Sequence, residues 1–535
     1  MDMHKALNHP SRNGGDVPSS AQSRRAFGRS VLAGAASTLL ARPLWPEAPV
    51  RTLKLQSATD RRIPVDFVGF SYETIQLADP SFFAADNREL VALFRALSPQ
   101  GVLRIGGNSS EFCWWRTRPD QPPPPDPSSA GNGNNWMPHS LTAIQPVAVD
   151  RLAGFLDATG WKVIYGLNLG TGTPERAAEE SSYVSRVLGP RLLYFQIGNE
   201  PEYYRDAVNG LRPADWNFEK YLAQWAAIAR AVLERVPGAR FGGPDVGSNA
   251  SWVVRFAQEA PKLFPERIVA CTGHYYAEGP PDNPAVTVAR LLAPDPRIDR
   301  DLPRIVEAAG SAGIHYRMTE GNSCYRGGKP GMSNAFCSAL WAADYMLKLA
   351  SYGCVGVNLH GGGSKQIRDA LGGHLPGESL DPAAATVAKE GSFYTPIAGS
   401  RESGFRARPV FYGMLLAGQL AGGRMRAATL DAAQAGATAY AADMENGGTR
   451  IVVVNKDASS DLLVRIQSKS GVRIWRLEAP GLTATSEVAL AGAPIEATRP
   501  WKPRREERVA SHGGFVDLKV SAASAAVLFW DGRLA

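Results

Sequence analysis

Cysteine is scarce in this chain of 535 residues. There are five, Cys113, Cys271, Cys324, Cys337 and Cys354, with no Cys-x-x-Cys pair among them. An odd, scattered set excludes a disulfide framework and a zinc finger, and leaves room for at most a stray bridge. Histidine is also sparse: the eight residues do not cluster. No Gly-x-Ser-x-Gly stretch is present, which removes the usual serine-hydrolase elbow. No glycine-rich phosphate loop follows the first β-like run, which counts against a dinucleotide-binding sheet. Nor is any stretch long and apolar enough to span a bilayer. The net charge of +7 is not a nucleic-acid signature. Residues 1–45 hold six Lys/Arg and two Asp, so only +3 is spread over the rest.

What is present begins with that basic end. Paired arginines in Ser23–Ser30 (SRRAFGRS) precede a short apolar run, Val31–Ala41. A basic region followed by about 7–15 apolar residues reads as an export signal, and the paired arginines resemble the twin-arginine type of bacteria. The expectation is a signal and loose N-terminus over residues 1–45. The product would be periplasmic or secreted, without a stable membrane span once the signal is removed. The competing reading is a basic tail on a cytosolic protein.

From about residue 65, short β-rich runs alternate with helix-like stretches. The runs are Phe67–Glu73, Val102–Gly107, Lys162–Gly170, Leu192–Glu200, Phe241–Val246, Val269–Tyr276, His315–Asn322 and Val355–Gly361. Between them, as in Phe218–Val236, apolar residues recur every three or four positions, which gives a helix with one buried stripe. Eight such units predict an α/β fold, a (β/α)8 TIM barrel over residues 65–408, with a doubly wound sheet as competitor. After Pro409 the pattern turns to short strands separated by turn residues, such as Thr449–Asp457 and Ser524–Asp531. This predicts a C-terminal antiparallel β-sandwich over 409–535. The alternating stretch Arg51–Gln56, within a segment 46–64, is expected to join the sandwich and not the barrel. Two Pro/Gly-rich loops interrupt the barrel, Arg118–Gln145 and Gly361–Gly391; loops of that length are functional or disordered.

In such a barrel, chemistry gathers at the C-terminal strand ends. Those ends carry Tyr72-Glu73, Asn108, Asn168, Asn199-Glu200, Asp245, His274-Tyr275-Tyr276, Glu320-Gly321-Asn322 and Asn358-Leu359-His360. Any one of them could be a solvated loop residue. Two carboxylates on the fourth and seventh strands, however, fit glycoside hydrolysis: one protonates the leaving oxygen and the other works from the opposite side of the sugar. In a retaining enzyme the two lie about 5–5.5 Å apart.

Four motifs carry a closer likeness: LSPQGVLRIGGNSSEF (Leu97–Phe112), FQIGNEPEYY (Phe195–Tyr204), GHYY (Gly273–Tyr276) and TEGNSCYRGG (Thr319–Gly328). Through them the chain, over about residues 65–420, resembles glycoside hydrolase family 79, the β-glucuronidases and heparanase. Asn-Glu-Pro alone is shared by the whole clan of retaining barrel glycosidases; the Tyr-x-Gly spacing after the seventh strand is the more discriminating signal. The resemblance implies that Glu200 is the acid/base, Glu320 the nucleophile, Asn199 the amide for the sugar 2-hydroxyl and Tyr276 the residue that positions the nucleophile. It implies that Tyr325 and the Gly327 N–H grip the substrate carboxylate, with Arg326 between them. It also places Glu73 and Asn108 against sugar hydroxyls. Tyr394 follows directly on the loop Gly361–Gly391, and from there it could return into the site. It implies no cofactor and no metal. The expected partner is a glucuronic-acid-containing saccharide or glycoside, cleaved by a two-glutamate double displacement, with no nucleic acid. Cys324 reads as a packed residue and not a redox switch. Two alternatives stand: an endo-acting, heparanase-like enzyme, and a noncatalytic carbohydrate-binding barrel. The long loops favour exo action, since they can wall a cleft into a pocket.

Overall fold

The structure, a computed structural model, describes residues 50–125, 140–205, 210–431 and 436–531. The expected signal over residues 1–45 and the middle of the Arg118–Gln145 loop lie outside the described residues. Eight parallel strands close into a barrel. They are β1 (Val68–Glu73), β2 (Val102–Gly106), β3 (Lys162–Leu167), β4 (Leu192–Ile197), β5 (Phe241–Val246), β6 (Ile268–Glu278), β7 (His315–Cys324) and β8 (Val357–Gly361). The ring closes where β8 pairs with β1, Val357 opposite Val68 through Gly361 opposite Tyr72. Helices cover the outside and side chains fill the inside, so both faces are dry. That is why these strands read as near-continuous apolar runs.

The helix Phe218–Arg235 shows how local chemistry sets an element. Asn217 caps it by accepting the Lys220 N–H at 3.0 Å. Tyr221, Leu222, Trp225, Ile228, Ala229 and Val232 form its buried stripe. Trp225 is fully buried against Phe241 of β5 and Phe256.

The sequence boundary at Pro409 needs correcting. Pro409–Gly418 is a helix and packs on the helix Phe336–Tyr352 and on β1, completing the eighth unit of the barrel. Every residue from Pro409 to Ala417 is buried, so the segment has no polar face and no helical period to read.

Beyond it lies one ten-stranded sheet, curled around its own core and antiparallel at every pairing but one. The exception is the strand Val50–Arg62. It lies antiparallel to Arg424–Leu430 and parallel to Leu462–Gln467, and it takes no part in the barrel. In the strand Thr449–Asn455, Ile451 and Val453 face the sheet's own core while Val452 and Val454 join the core shared with the barrel. Both faces are therefore buried, which accounts for the run Ile-Val-Val-Val.

The loop 361–391 is not featureless. It holds the helices Ser364–Ala370 and Ala384–Ala388, a 3-10 turn at Pro376–Ser379, and an apolar cluster of its own built on Ile367, Leu371, Leu375 and Phe393. All five cysteines are free and buried.

Candidate active site

β4 ends at Ile197, and two residues of turn carry Glu200 into a left-handed conformation at φ 46°. Its backbone N–H is fixed by the Asp245 carbonyl of β5 at 2.8 Å. Pro201 then opens a 3-10 turn, so the chain swings away and leaves the carboxylate at the barrel mouth. Glu320 sits midway along β7 and is buried. One carboxylate oxygen of each glutamate, together with a ring nitrogen of His274, falls within 4.8 Å of the others.

The centre of the site is a residue that the strand-tip reading passed over. Arg104 of β2 is 1% exposed. Its Nε donates to Gln196 Oε1 at 3.1 Å, one Nη to Ser71 Oγ at 3.2 Å and Glu320 Oε2 at 2.6 Å, and the other Nη to Asn199 Oδ1 at 2.8 Å and to Asp245. All five guanidinium N–H groups are used. Gly106 makes this possible: a Cβ there would lie 2.2 Å from the Arg104 guanidinium carbon. Its neighbour Gly107, at φ 77°, clears the Glu73 carboxylate in the same way, since a Cβ would lie 2.3 Å from it. The Arg-Ile-Gly-Gly stretch is thus one arginine and the two glycines that give it and Glu73 room.

The Glu320 carboxylate is held at both oxygens. Arg104 binds Oε2, and the Tyr276 hydroxyl donates to Oε1 at 2.8 Å. His360 Nδ1 is 3.7 Å away. Burial alone would raise the Glu320 carboxyl, but the fields of His360, His274 and Arg104 and the Tyr276 bond pull it down to about 2. It is therefore an ionised carboxylate at any working pH.

His274 bridges the other half of the site. Its Nδ1 lies 3.0 Å from Glu200 Oε1 and its Nε2 3.1 Å from Asp245 Oδ1. Burial pushes the imidazole down; Asp245 and Glu320 outweigh that and hold it up to about 10, so it is charged. Burial likewise pushes Asp245 up, but Arg104 and His274 bring it well below the usual carboxylate range. Because His274 is an imidazolium with both nitrogens facing carboxylates, it has no lone pair for a metal. Arg104 already occupies Glu320. The Glu200, His274 and Glu320 group is thus an ion-paired network and a poor cation cage.

The remaining expected residues divide into two groups. Asn199 is buried: Oδ1 accepts from Arg104 and Nδ2 reaches Asn108 Oδ1 at 3.3 Å. Asn108 also donates to the Ala370 carbonyl at 3.4 Å. Glu73 accepts from the Ser109 N–H at 2.9 Å and hydroxyl at 2.6 Å, with His360 Nε2 at 3.3 Å. Tyr394 comes back from the insert 361–391, its ring 6.1 Å from Tyr276 and 5.8 Å from His360. These four, with Tyr276, are packed into one polar floor. Tyr325 and Gly327 lie at its edge. Tyr325 is 36% exposed, with its ring edge-on to Tyr276 at 6.4 Å. Gly327 is at φ 86°, under Leu375 of the insert, and its carbonyl accepts the Phe393 N–H at 2.7 Å.

Besides Arg104, sequence reasoning left two supports without a role. Glu111 is fully buried and accepts the Asn199 N–H at 2.6 Å and the Leu169 N–H at 3.0 Å. Burial pushes its carboxyl up against these bonds. Glu202, also buried, is raised to about 8, first by burial and then by the charge of Glu200. The available signal was a charged residue inside an otherwise apolar strand, at Arg104; Glu111, following Asn108, Ser109 and Ser110, carries no such signal.

No family model matches the chain. Two curated proteins do. A β-glucuronidase of Aspergillus niger is 25% identical over 369 residues, 62% of this chain and 66% of that protein. A β-glucuronidase of Neurospora crassa is 26% identical over 349 residues, 58% of this chain and 60% of that protein. The chain thus matches just under two thirds of either relative's length. Among solved structures, a 4-O-α-L-rhamnosyl-β-D-glucuronidase from Fusarium oxysporum 12S in complex with Rha-GlcA superposes with a TM-score of 0.66 at 17% identity, over 89% of this chain and 99% of that one. A GH51 arabinofuranosidase from Xanthomonas axonopodis pv. citri gives 0.62 at 16%, over 90% and 99%. Each superposition takes in about nine tenths of this chain, so the likeness is one of the fold as a whole. The likeness to β-glucuronidases read from the motifs is therefore present in sequence as well as in fold.

Proposed function

We propose that this protein is a retaining, exo-acting β-glucuronidase of the family 79 type, exported from the cell that makes it. The observation that carries the mechanism is the approach of the Glu200 and Glu320 carboxylates, one oxygen of each lying within 4.8 Å of the other. An inverting enzyme needs about 6.5–9.5 Å between its carboxyls to seat a water; a retaining one needs about 5–5.5 Å. Glu320, ionised and held by Arg104 and Tyr276, attacks the anomeric carbon. Glu200 delivers its proton to the leaving oxygen and then takes one from the water that releases the sugar. Asn199, fixed by Arg104, Asn108 and Glu111, is positioned to bind the 2-hydroxyl. Charged His274 sits against Glu200 and can support the carboxylate that Glu200 becomes after giving up its proton.

The substrate half of the proposal rests on the two β-glucuronidase relatives and on the Tyr325 hydroxyl and Gly327 N–H as donors to the sugar carboxylate. Exo action rests on the insert. Ala370 of the insert meets Asn108, and Leu375 packs over Gly327, so the insert closes one side of the mouth. An endo enzyme needs that side open for the next sugar.

The test is a panel of aryl β-glucuronides, aryl β-glucosides and internal glucuronide polymers, with the anomer of the first product read by NMR. Release of β-glucuronic acid from aryl glucuronides, with polymers cut only at their ends, is the expected result. An α-anomer first product refutes the retaining mechanism, internal cuts refute exo action, and binding without turnover leaves a carbohydrate-binding protein.

A further inference from the structure

The opposite end of the barrel carries a feature that the reaction does not use. Arg317, the third residue of β7 and three residues before Glu320 on the same strand, is buried towards the N-terminal face and is 4% exposed. Its Nε donates to Asn358 Oδ1 at 2.9 Å and one Nη to the Asp66 carbonyl at 3.2 Å. Among the described residues, no carboxylate forms an ion pair with it. This contrasts with Arg104, whose charge is matched by Asp245 and Glu320. A buried, unmatched cation costs several kcal/mol unless something neutralises it. Burial holds the Arg317 guanidinium below its ordinary value, with only a weak opposing pull from Tyr194 and Asp66.

Arg317 lines a cavity at that face together with Arg61, Arg240 and Tyr194. Tyr194, near the start of β4, is 6% exposed, and its hydroxyl has no hydrogen-bond partner. A buried phenol with an unused donor and a buried guanidinium with spare N–H groups thus belong to two residues that line one cavity. Two acids also line the cavity, Asp60 and Asp66. Asp66 has Lys162 at 3.9 Å to share its charge, so the balance at the cavity is positive.

We infer that this cavity is an anion site, formed by Arg317 and the Tyr194 hydroxyl and approached past Arg61 and Arg240, that takes a small oxyanion of the sulfate or phosphate class. The planar fork of an arginine matches two oxygens of such an ion, and the phenol matches a third. The site is separate from the glucuronide mouth, so its ligand stabilises the barrel floor and is not turned over.

The experiment is a thermal-shift and calorimetric titration of the full chain with sodium sulfate or sodium phosphate, ionic strength being held constant with sodium chloride. It is paired with a selenate soak read by anomalous diffraction. The expected result is a saturable rise in melting temperature and a selenate peak between Arg317 and Tyr194. Tyr194→Phe, which removes one oxygen and keeps the ring, should weaken the anion about tenfold or more. Arg317→Met should abolish binding. If Arg317→Met does not fold, Tyr194→Phe and the selenate peak still decide the matter. A non-saturating rise identical in wild type and Tyr194→Phe, or a selenate soak with no peak in the cavity, overturns the inference.

Discussion

Tyr276→Phe separates two effects that usually travel together. The tyrosine ring packs against Tyr325 and Tyr394, so phenylalanine should keep its place and only the hydroxyl is lost. The bond removed is the one to Glu320 Oε1 at 2.8 Å; Arg104 still holds Oε2. A hydrogen bond to a charged group is worth about 1.5–3 kcal/mol, and 1.36 kcal/mol moves a carboxyl by one pH unit. The Tyr276 bond lowers Glu320 less than His360, His274 and Arg104 do, so the low end applies. The carboxyl should rise by about one unit, from about 2 to about 3. At pH 7 it stays ionised, so titration cannot slow the neutral-pH reaction. On bond energy alone the rate should rise up to about tenfold, because a carboxylate with one less donor is a stronger nucleophile. Against this, the freed oxygen can swing about the remaining Arg104 contact, and a misplacement of about 1 Å costs about 100-fold. Misplacement is the larger effect, so kcat/KM on an aryl glucuronide should fall by about tenfold or more at pH 7. The acid limb of the profile should shift upward by about one unit. The assay is kcat/KM from pH 2 to 8 for wild type and variant, each confirmed folded over the range. A neutral-pH rate that is unchanged or raised would refute the view that Tyr276 orients the nucleophile. An unmoved acid limb would refute its place among the groups that keep Glu320 ionised.

Glu320→Gln should abolish turnover of every substrate, whereas Glu200→Gln should spare the first step on aryl glucuronides with very good leaving groups; equal losses across leaving groups would reverse the assignment. Tyr325→Phe should lower kcat/KM on aryl glucuronides by roughly 10- to 150-fold and leave residual glucosidase activity nearly unchanged, measured as the ratio of the two. Stability should depend on pH from both sides. Glu320, lowered from 4.5 to about 2, contributes fully above pH 4.5 and loses that contribution as pH falls toward 2. His274, raised from 6.5 to about 10, contributes fully below pH 6.5 and loses that contribution as pH rises through 10. Denaturant midpoints should therefore be highest at about pH 4.5–6.5 and fall on either side, and Glu320→Gln should flatten the acid side. Lys456→Met leaves Asp344, its half-buried partner between barrel and sheet, with only the Thr438 and Tyr440 hydroxyls, and should cost about 1–3 kcal/mol by chemical denaturation, partly recovered by adding Asp344→Leu.

Much of this protein is written locally. A strand of a closed parallel barrel is dry on both faces, so β4 announces itself as an apolar run. A residue near the end of such an apolar run faces the mouth, so Glu200, Glu320, Asn199 and Tyr276 stand out in the sequence, although β6 and β7 run on past Tyr276 and Glu320. The alternation in Arg51–Gln56 marked a strand with one wetter face, and that strand is the one shared with the C-terminal sheet. Other features have no local trace. Pro409–Gly418 is a helix buried on all sides, so the periodicity that identifies a helix is missing and the sequence alone places the end of the barrel too early. Arg104 is one cation in an apolar strand, and nothing near it in sequence says which way it points. Its partners Ser71, Gln196, Asn199, Asp245 and Glu320 lie on other strands or just past their ends, up to 216 residues away. Sequence by itself determined which residues stand at the strand ends, because strand period and burial act over a few residues. Only tertiary structure decided which charges neutralise which, because ring closure alone brings those side chains within bonding distance, in a dry interior where each must find its partner.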